Sequence, residues 1–274
     1  MSVSATVVSG EHPSGAPAAE PPVDTHPAAE TSPVAIAVIL GSARTQVWVA
    51  GRGAVNCASG EAVGTSRAPI RRGRVADGAG CVDLLTQLTR QYRNPIPAGS
   101  VVVVCRPVLA TMPEQYALRQ VAATVFSPSR LLFIDTVRAA AIGAGAAAGS
   151  LLIADIGAEL SEVAALQDGR VAAARRTDIG TRDLKRGAPT EALAHAATRM
   201  VNELREDPAA QAVVPAALTR GLMVAGDGAM TPSLMMQIAA NLRIPVRSAA
   251  APWTAALNGA GLTAMAAARH PANR

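Results

Sequence analysis

The sequence predicts an α/β protein made of two similar halves that face each other across a cleft. Three observations carry that prediction. One order of elements (hairpin, strand, helix, strand, helix) is legible over residues 34–148 and again over residues 151–268. Each half is headed by a hairpin with a small, polar tip, Gly41-Ser42-Ala43-Arg44-Thr45 in the first and Asp155-Ile156-Gly157 in the second. Half of all residues are hydrophobic but only 2% are aromatic, so the core must be Ala, Val, Leu and Ile, side chains small enough for helices to lie close on a sheet.

Taken in order, residues 1–33 come first. They hold six prolines and the acids Glu11, Glu20, Asp24 and Glu30, with no Lys, no Arg and no apolar period. Such a stretch cannot bury enough surface to offset its ordering entropy and reads as a disordered tail. Residues 34–40 are a continuous apolar strand and 46–50 its hairpin partner. The Gly-, Ser- and Pro-rich stretch 51–80 reads as loop, with at most short strands near Val63 and at 74–76. Within 82–92, Leu84, Leu85 and Leu88 share one helical face. The run Val-Val-Val-Val-Cys at 101–105 is a strand covered on both faces. A helix follows at 113–125, with Pro113 and Glu114 favourably placed in its first turn. A strand at 130–134 and a small-residue helix at 136–148 close the first half.

The second half, 149–274, repeats the plan. Its hairpin spans 151–166, a third strand 169–174, and a turn 178–180. A helix at 190–205 follows, then a strand at 221–225 that ends in Gly226-Asp227-Gly228. A helix at 232–242, a short strand at Val246 and a closing helix at 253–268 complete it, the last placed so that it can pack back on the first half.

Composition excludes several function classes. The net charge is +5, and the acidic tail hides a balance of 25 bases against 16 acids in the remainder. The bases come in twos and threes (Arg71, Arg72 and Arg74; Arg175 and Arg176; Lys185 and Arg186) without the interleaved aromatics that stack on bases, so they read as a solvated face and not as a nucleic-acid interface. Cys57, Cys81 and Cys105 are scattered, odd in number and far from any histidine, which argues for a reducing compartment and against a disulfide framework or zinc. No signal-peptide pattern opens the chain, and the longest apolar stretch, 139–154, is too short for a membrane span. The expectation is a cytoplasmic protein without direct membrane insertion.

The hairpin at 151–166 carries the chemistry. A strand that ends in Asp-Ile-Gly and reverses at once presents a carboxylate and several backbone N–H groups, which suits a magnesium-bound phosphate. The same residues also make an ordinary structural turn.

With these motifs in place, the chain resembles the MreB-type bacterial actins of the actin, sugar kinase and Hsp70 ATPase superfamily over roughly residues 34–267. Ile39-Leu40-Gly41-Ser42-Ala43-Arg44-Thr45 stands where that family has its phosphate-1 pattern D-L-G-T-x-x-T. Residues 69–77 are similar to its segment P-x-x-x-G-x-I-x-D, and 139–145 match its A-A-A-I-G-A-G run. Asp155-Ile156-Gly157 resembles the start of the phosphate-2 motif D-I-G-G-G-T-T, and Gly226-Asp227-Gly228 resembles the adenosine loop.

The resemblance implies two ribonuclease H-like core subdomains around a cleft, 34–148 and 149–274, with ATP and Mg2+ as the cofactor if there is any. It implies Gly41, Ser42, Thr45 and Gly157 at the phosphates, Asp155 at the metal, and Gly226, Asp227 and Gly228 at adenosine. Glu114 aligns where the family keeps a carboxylate that helps orient the attacking water. Read as structure alone, Glu114 favours its helix N-terminus and Asp155 and Asp227 are turn residues.

Departures from the pattern matter as much. Ile39 replaces the phosphate-1 aspartate, and an apolar side chain cannot hold magnesium through water. Ala158, Glu159, Leu160 and Ser161 replace the glycines and threonines of phosphate-2. A carboxylate at 159 and a γ-phosphate ~4 Å apart would repel by about 4 kcal/mol at an effective dielectric of ~20. The family's two small subdomains also shrink, the first to a short loop before Pro69 and the second to a single helix with its loops between Gly180 and Gly221. These departures lead to the expectation of a degenerate actin-like protein with weak or absent ATPase activity. It would act in cell-shape, cell-wall or spore-wall formation through MreB-type actins, morphogenesis proteins or its own copies. The alternative is a reduced but genuine ATPase. The tail offers no amphipathic helix, so a partner would have to bring the chain to a membrane.

Overall fold

The computed structural model describes residues 33–59 and 68–270, so the expected tail and the expected strand near Val63 lie outside the described residues. The first half runs β1 (Ala35–Leu40), β2 (Arg44–Val49), β3 (Gly53–Ala58), β4 (Ile70–Arg71), β5 (Arg74–Val75), α1 (Gly78–Thr89), β6 (Val101–Arg106), α2 (Met112–Phe126), β7 (Arg130–Asp135) and α3 (Thr136–Gly143). The second runs β8 (Ser150–Ile156), β9 (Ser161–Gln167), β10 (Arg170–Thr177), α4 (Thr181–Lys185), α5 (Thr190–Glu206), α6 (Val214–Arg220), β11 (Leu222–Ala225), α7 (Pro232–Leu242), β12 (Val246–Ser248) and α8 (Ala255–Ala268).

Two five-stranded sheets have one topology, β3-β2-β1-β6-β7 and β10-β9-β8-β11-β12. In each, the first three strands pair antiparallel and the remaining two add parallel. The register makes positions equivalent between halves. Leu40 faces Thr45 and Ile39 faces Gln46 in the first hairpin; Ile156 faces Ser161 and Asp155 faces Glu162 in the second.

Side-chain size sorts the layers. Ile36 and Val38 point outward into a core with Leu84, Leu85 and Leu88 of α1 and Leu118 and Val121 of α2. Ala35 and Ala37, on the other face, pack under Leu257, Ala260 and Ala264 of α8. The second sheet mirrors this. Leu152 and Val163 pack against α5 and α7, while Leu151, Ile153 and Leu166 pack against Val137, Ala140 and Ala141 of α3. Each half's last helix therefore covers the other half's sheet. The two helices cross where Gly143 and Gly259 meet. A Cβ on Gly143 would fall on the carbonyl oxygen of Ala255, and one on Gly259 on that of Ala139.

Four elements differ from the sequence reading. β3 lies inside the supposed loop; it is a half-exposed edge strand whose alternation is carried only by Val55 and Cys57, which pack on the first-half core, too short a signal among Gly, Ala and Asn to set it apart from a loop. α1 begins at Gly78, capped by the Asp77 carboxylate on the Gly80 N–H, and ends at Thr89. α3 stops at Gly143 because Gly145 turns the chain with φ of +67°, although the alanines beyond it favour helix. The segment between β10 and β11 holds α4, a 3-10 turn at Pro208–Ala210 and α6 besides the expected α5, so it is more than one helix with loops.

Candidate functional site

Between the two sheets lies a cleft with a cavity of about 140 Å³, bordered by the tips of both hairpins, Gly226 and Asp227, and Trp253. Gly41, Ser42, Asp155, Gly157, Gly226 and Asp227 of the expected site line it. Thr45, Gly228 and Glu114 do not.

The first tip is closed by the Gly41 N–H donating to the Arg44 carbonyl at 3.2 Å, and a Cβ at Gly41 would lie 2.7 Å from that oxygen. Glycine here serves the turn. Thr45 is fully buried and its hydroxyl bonds to Ser59 at 2.8 Å, so it makes no contact with the cleft. Ile39 packs into the apolar layer under α8. Gly157 likewise closes the second tip by donating to the Leu160 carbonyl at 2.9 Å. Gly226 adopts φ of +77° and has no room for a Cβ beside the Asp155 carboxylate. Gly228 is buried against Ile156, behind the cleft wall.

A third hairpin, of which the sequence shows only the second strand at 74–76, inserts between these two tips. Arg72 and Gly73, with φ of 49° and 70°, form the two-residue loop between β4 and β5; positive φ at both positions is the signature of a type I′ turn. Gly73 is further required because a Cβ would lie 2.7 Å from the Leu160 side chain. The Arg72 N–H donates to Glu159 Oε2 at 3.0 Å, and the Gly73 N–H donates to Ser42 Oγ at 3.1 Å. Arg182, just inside α4, completes the junction. Its Nη1 donates to Glu159 Oε1 at 2.7 Å and its Nη2 to the Ser42 carbonyl at 3.1 Å. Arg186 lies 3.8 Å from Glu159. Burial would raise the Glu159 pKa, but the Arg72 N–H and Arg182 outweigh it and hold the carboxyl below its ordinary range. The sequence reading set Glu159 as a repulsive charge; in the fold it is buried and satisfied from three sides.

Glu114 sits in a second charged junction between the halves. It closes a capping box with Thr111 at the start of α2, and it pairs with Arg74 at 2.6 Å and Arg176 at 3.0 Å. Arg74 also pairs with Asp178 at 2.9 Å. Burial opposes ionisation of Glu114, yet Arg176, the Thr111 N–H and Arg74 bring its pKa down to about 2. The structure therefore places Glu114 in an ion-pair junction and outside the cleft lining, apart from the other residues of the expected site.

Asp155 is in the opposite condition. Burial first, and the Asp227 charge second, push its pKa up to about 6. Its cross-strand neighbour Glu162 is pushed well above the ordinary range by burial and by Asp155, although it accepts a hydrogen bond from the Val108 N–H. Among the described residues, no three His, Cys, Asp or Glu side chains are grouped as a metal ion requires. The donor set does not fit a magnesium-bound phosphate: the phosphate-1 position is apolar, and the second tip presents a paired carboxylate. At the mouth, the Arg44 guanidinium stacks 5.0 Å from the ring centre of Trp253 and joins the walls. Among the described residues no helix is long and apolar enough to cross a membrane.

The MreB/Mbl protein family matches residues 61–187, and the resemblance to MreB-type bacterial actins holds. Spiroplasma citri MreB5 bound to AMPPNP is similar with a TM-score of 0.72 at 17% identity, over 86% of this chain and 97% of that one. The MamK double helical filament gives 0.69 at 15% identity, over 85% and 98%. The ethanolamine utilization protein EutJ from Carboxydothermus hydrogenoformans gives 0.58 at 16% identity, over 84% and 89%. At these identities the likeness is one of fold, the actin-like ATPase fold. No curated protein matches the sequence.

Proposed function

We propose that this actin-fold relative of the MreB/Mbl proteins is a pseudo-ATPase that works through protein contacts, with its own copies or with MreB-type actins and cell-wall morphogenesis proteins, in cell-shape, cell-wall or spore-wall formation. One observation carries the reading: the Glu159 carboxylate, on the hairpin tip that aligns with the family's phosphate-2 motif, borders the cleft and is bound to the Arg72 N–H and Arg182. An incoming polyphosphate would have to displace a charge-assisted pair and would meet a second negative charge at the same place. Ile39 supports the reading, because the first hairpin supplies no carboxylate to hold a cation.

A genuine but reduced ATPase keeps one supporting observation. Asp155, Gly226 and Asp227 still line the cleft beneath the exposed Trp253, and the similar Spiroplasma citri MreB5 is bound to AMPPNP. Calorimetric titration of the full chain with ATP, with and without Mg2+, separates the two. The pseudo-ATPase reading expects no heat of binding at micromolar nucleotide, and binding that emerges in Ile39→Asp combined with Glu159→Gly. Magnesium-dependent micromolar binding by the unmutated chain would overturn it.

A further inference from the structure

Glu159 has the surroundings of a bound anion. A backbone N–H from a turn in which both residues have positive φ, a guanidinium and, farther out, a second guanidinium converge on its two oxygens. Ser42 and the neighbouring Gly73 N–H stand beside them, already bonded to one another. Successive N–H groups of a tight turn combined with arginines are what proteins use to hold tetrahedral oxyanions. The fold delivers this cradle from both halves, since Arg72, Gly73 and Ser42 belong to the first and Glu159 and Arg182 to the second.

We infer that the junction of the three hairpin tips is an oxyanion site carrying its own occupant: Glu159 fills it as a tethered anion and keeps the two halves joined without a ligand. The inference deepens the pseudo-ATPase reading by assigning Glu159 as the residue that decides whether the cleft accepts a free anion. A tethered carboxylate has an effective local concentration that a free anion in solution cannot match, so the intact site stays self-filled. Arg182 has the central part, because it holds Glu159 with one nitrogen and the Ser42 carbonyl of the opposite half with another. Removing the carboxylate leaves those donors in place, without a partner and partly shielded from water. They then become a receptor for phosphate or sulfate.

The test is thermal unfolding of the full chain in inorganic phosphate, against KCl at matched ionic strength. Glu159→Ala is expected to lower the midpoint by roughly 5 °C, the scale for losing a part-buried pair in a protein of this size. Millimolar phosphate should return most of that shift in Glu159→Ala, little of it in the isosteric Glu159→Gln, and none in the unmutated chain or in Glu159→Ala with Arg182→Ala. A Glu159→Ala protein whose midpoint responds to phosphate no more than to KCl would overturn the inference, as would an equal response of the unmutated chain. If the alanine variant does not fold, Glu159→Ser takes its place: its shorter side chain also vacates the cradle, so phosphate should raise its midpoint beyond KCl, and no such response would overturn the inference. ATP binding by the unmutated chain bears on the proposed function alone, because the phosphate response is read on the variants.

Discussion

The two halves share a topology, a register and a manner of covering each other's sheet, yet they differ at the one place where symmetry would put the same chemistry. Ile39 and Gln46 end the first hairpin where Asp155 and Glu162 end the second. The first pair is at ease: Ile39 packs on apolar neighbours, and Gln46 is neutral. The second pair is two adjacent carboxyls, both pushed upward by burial and by acidic neighbours, with the Arg176 charge opposing this only at Glu162. The contrast teaches that the first hairpin has been converted into structure, whereas the second still bears the electrostatic cost of a site.

The largest expected effect breaks what the halves have in common. Gly143→Ala and Gly259→Ala each place a methyl group on a backbone carbonyl at the crossing of α3 and α8, where nothing flexible can yield. Each should cost roughly 3–5 kcal/mol in urea unfolding, and by symmetry the two losses should agree within about 1 kcal/mol. A loss under about 1 kcal/mol for either would mean that the helices do not cross this closely.

The difference at the tips is sharpened by pH. Folding raises the Asp155 pKa from 3.8 to about 6, so the folded state prefers the protonated form. Stability from this group is full below the unfolded pKa and is lost as pH rises through about 6. Asp155→Asn should therefore gain roughly 2–3 kcal/mol over the unmutated chain at pH 8 and almost nothing at about pH 3. Glu162 shifts the same way and will leave the variant with a residual slope in this range. Equal stability of the two proteins at pH 8 would show that Asp155 is not strained in the fold.

The smallest effect tests the junction where the halves cooperate. Glu114 is held at about 2, below its ordinary value, so its contribution is present above the unfolded pKa and is lost as pH falls toward 2. Discounted for partial solvent access, Glu114→Gln should cost about 1–2 kcal/mol at pH 7 and progressively less below pH 4. Any ATP turnover that the unmutated chain shows should persist in the variant, since Glu114 lies away from the cleft lining. A loss of turnover with unchanged stability would return Glu114 to the catalytic role that the family resemblance implied.

Much of this architecture was written in the sequence as local pattern. Val101 to Val104 read as a central strand because four consecutive β-branched residues suit only a position covered on both faces, and all four are fully buried. Pro113 and Glu114 mark the start of a helix: Glu114 closes the capping box with Thr111, and Pro113 sits in the first turn, where no backbone N–H is needed. β3 and β4 do not stand out because short strands of small or charged residues give too few positions for a period to show, whereas β5 falls in the short strand expected at 74–76. The Arg72-Gly73 turn had a signal that went unread, a glycine after a polar residue between two short strands.

By itself, then, the sequence determined the long strands and helices, their order, their duplication and most of the residues at the two tips, because spacing, propensity and turn chemistry act over a few residues. Only the tertiary structure decided the state of those residues. Glu159 meets the Arg72 N–H across 87 positions and Arg182 meets Ser42 across 140, so a charge that looked unpaired along the chain is satisfied in space. Asp155, which looked like a ready metal ligand, is surrounded instead by acids and apolar walls. Protonation and pairing depend on what lies within a few ångströms in three dimensions, and that neighbourhood exists only once the two halves have closed on each other.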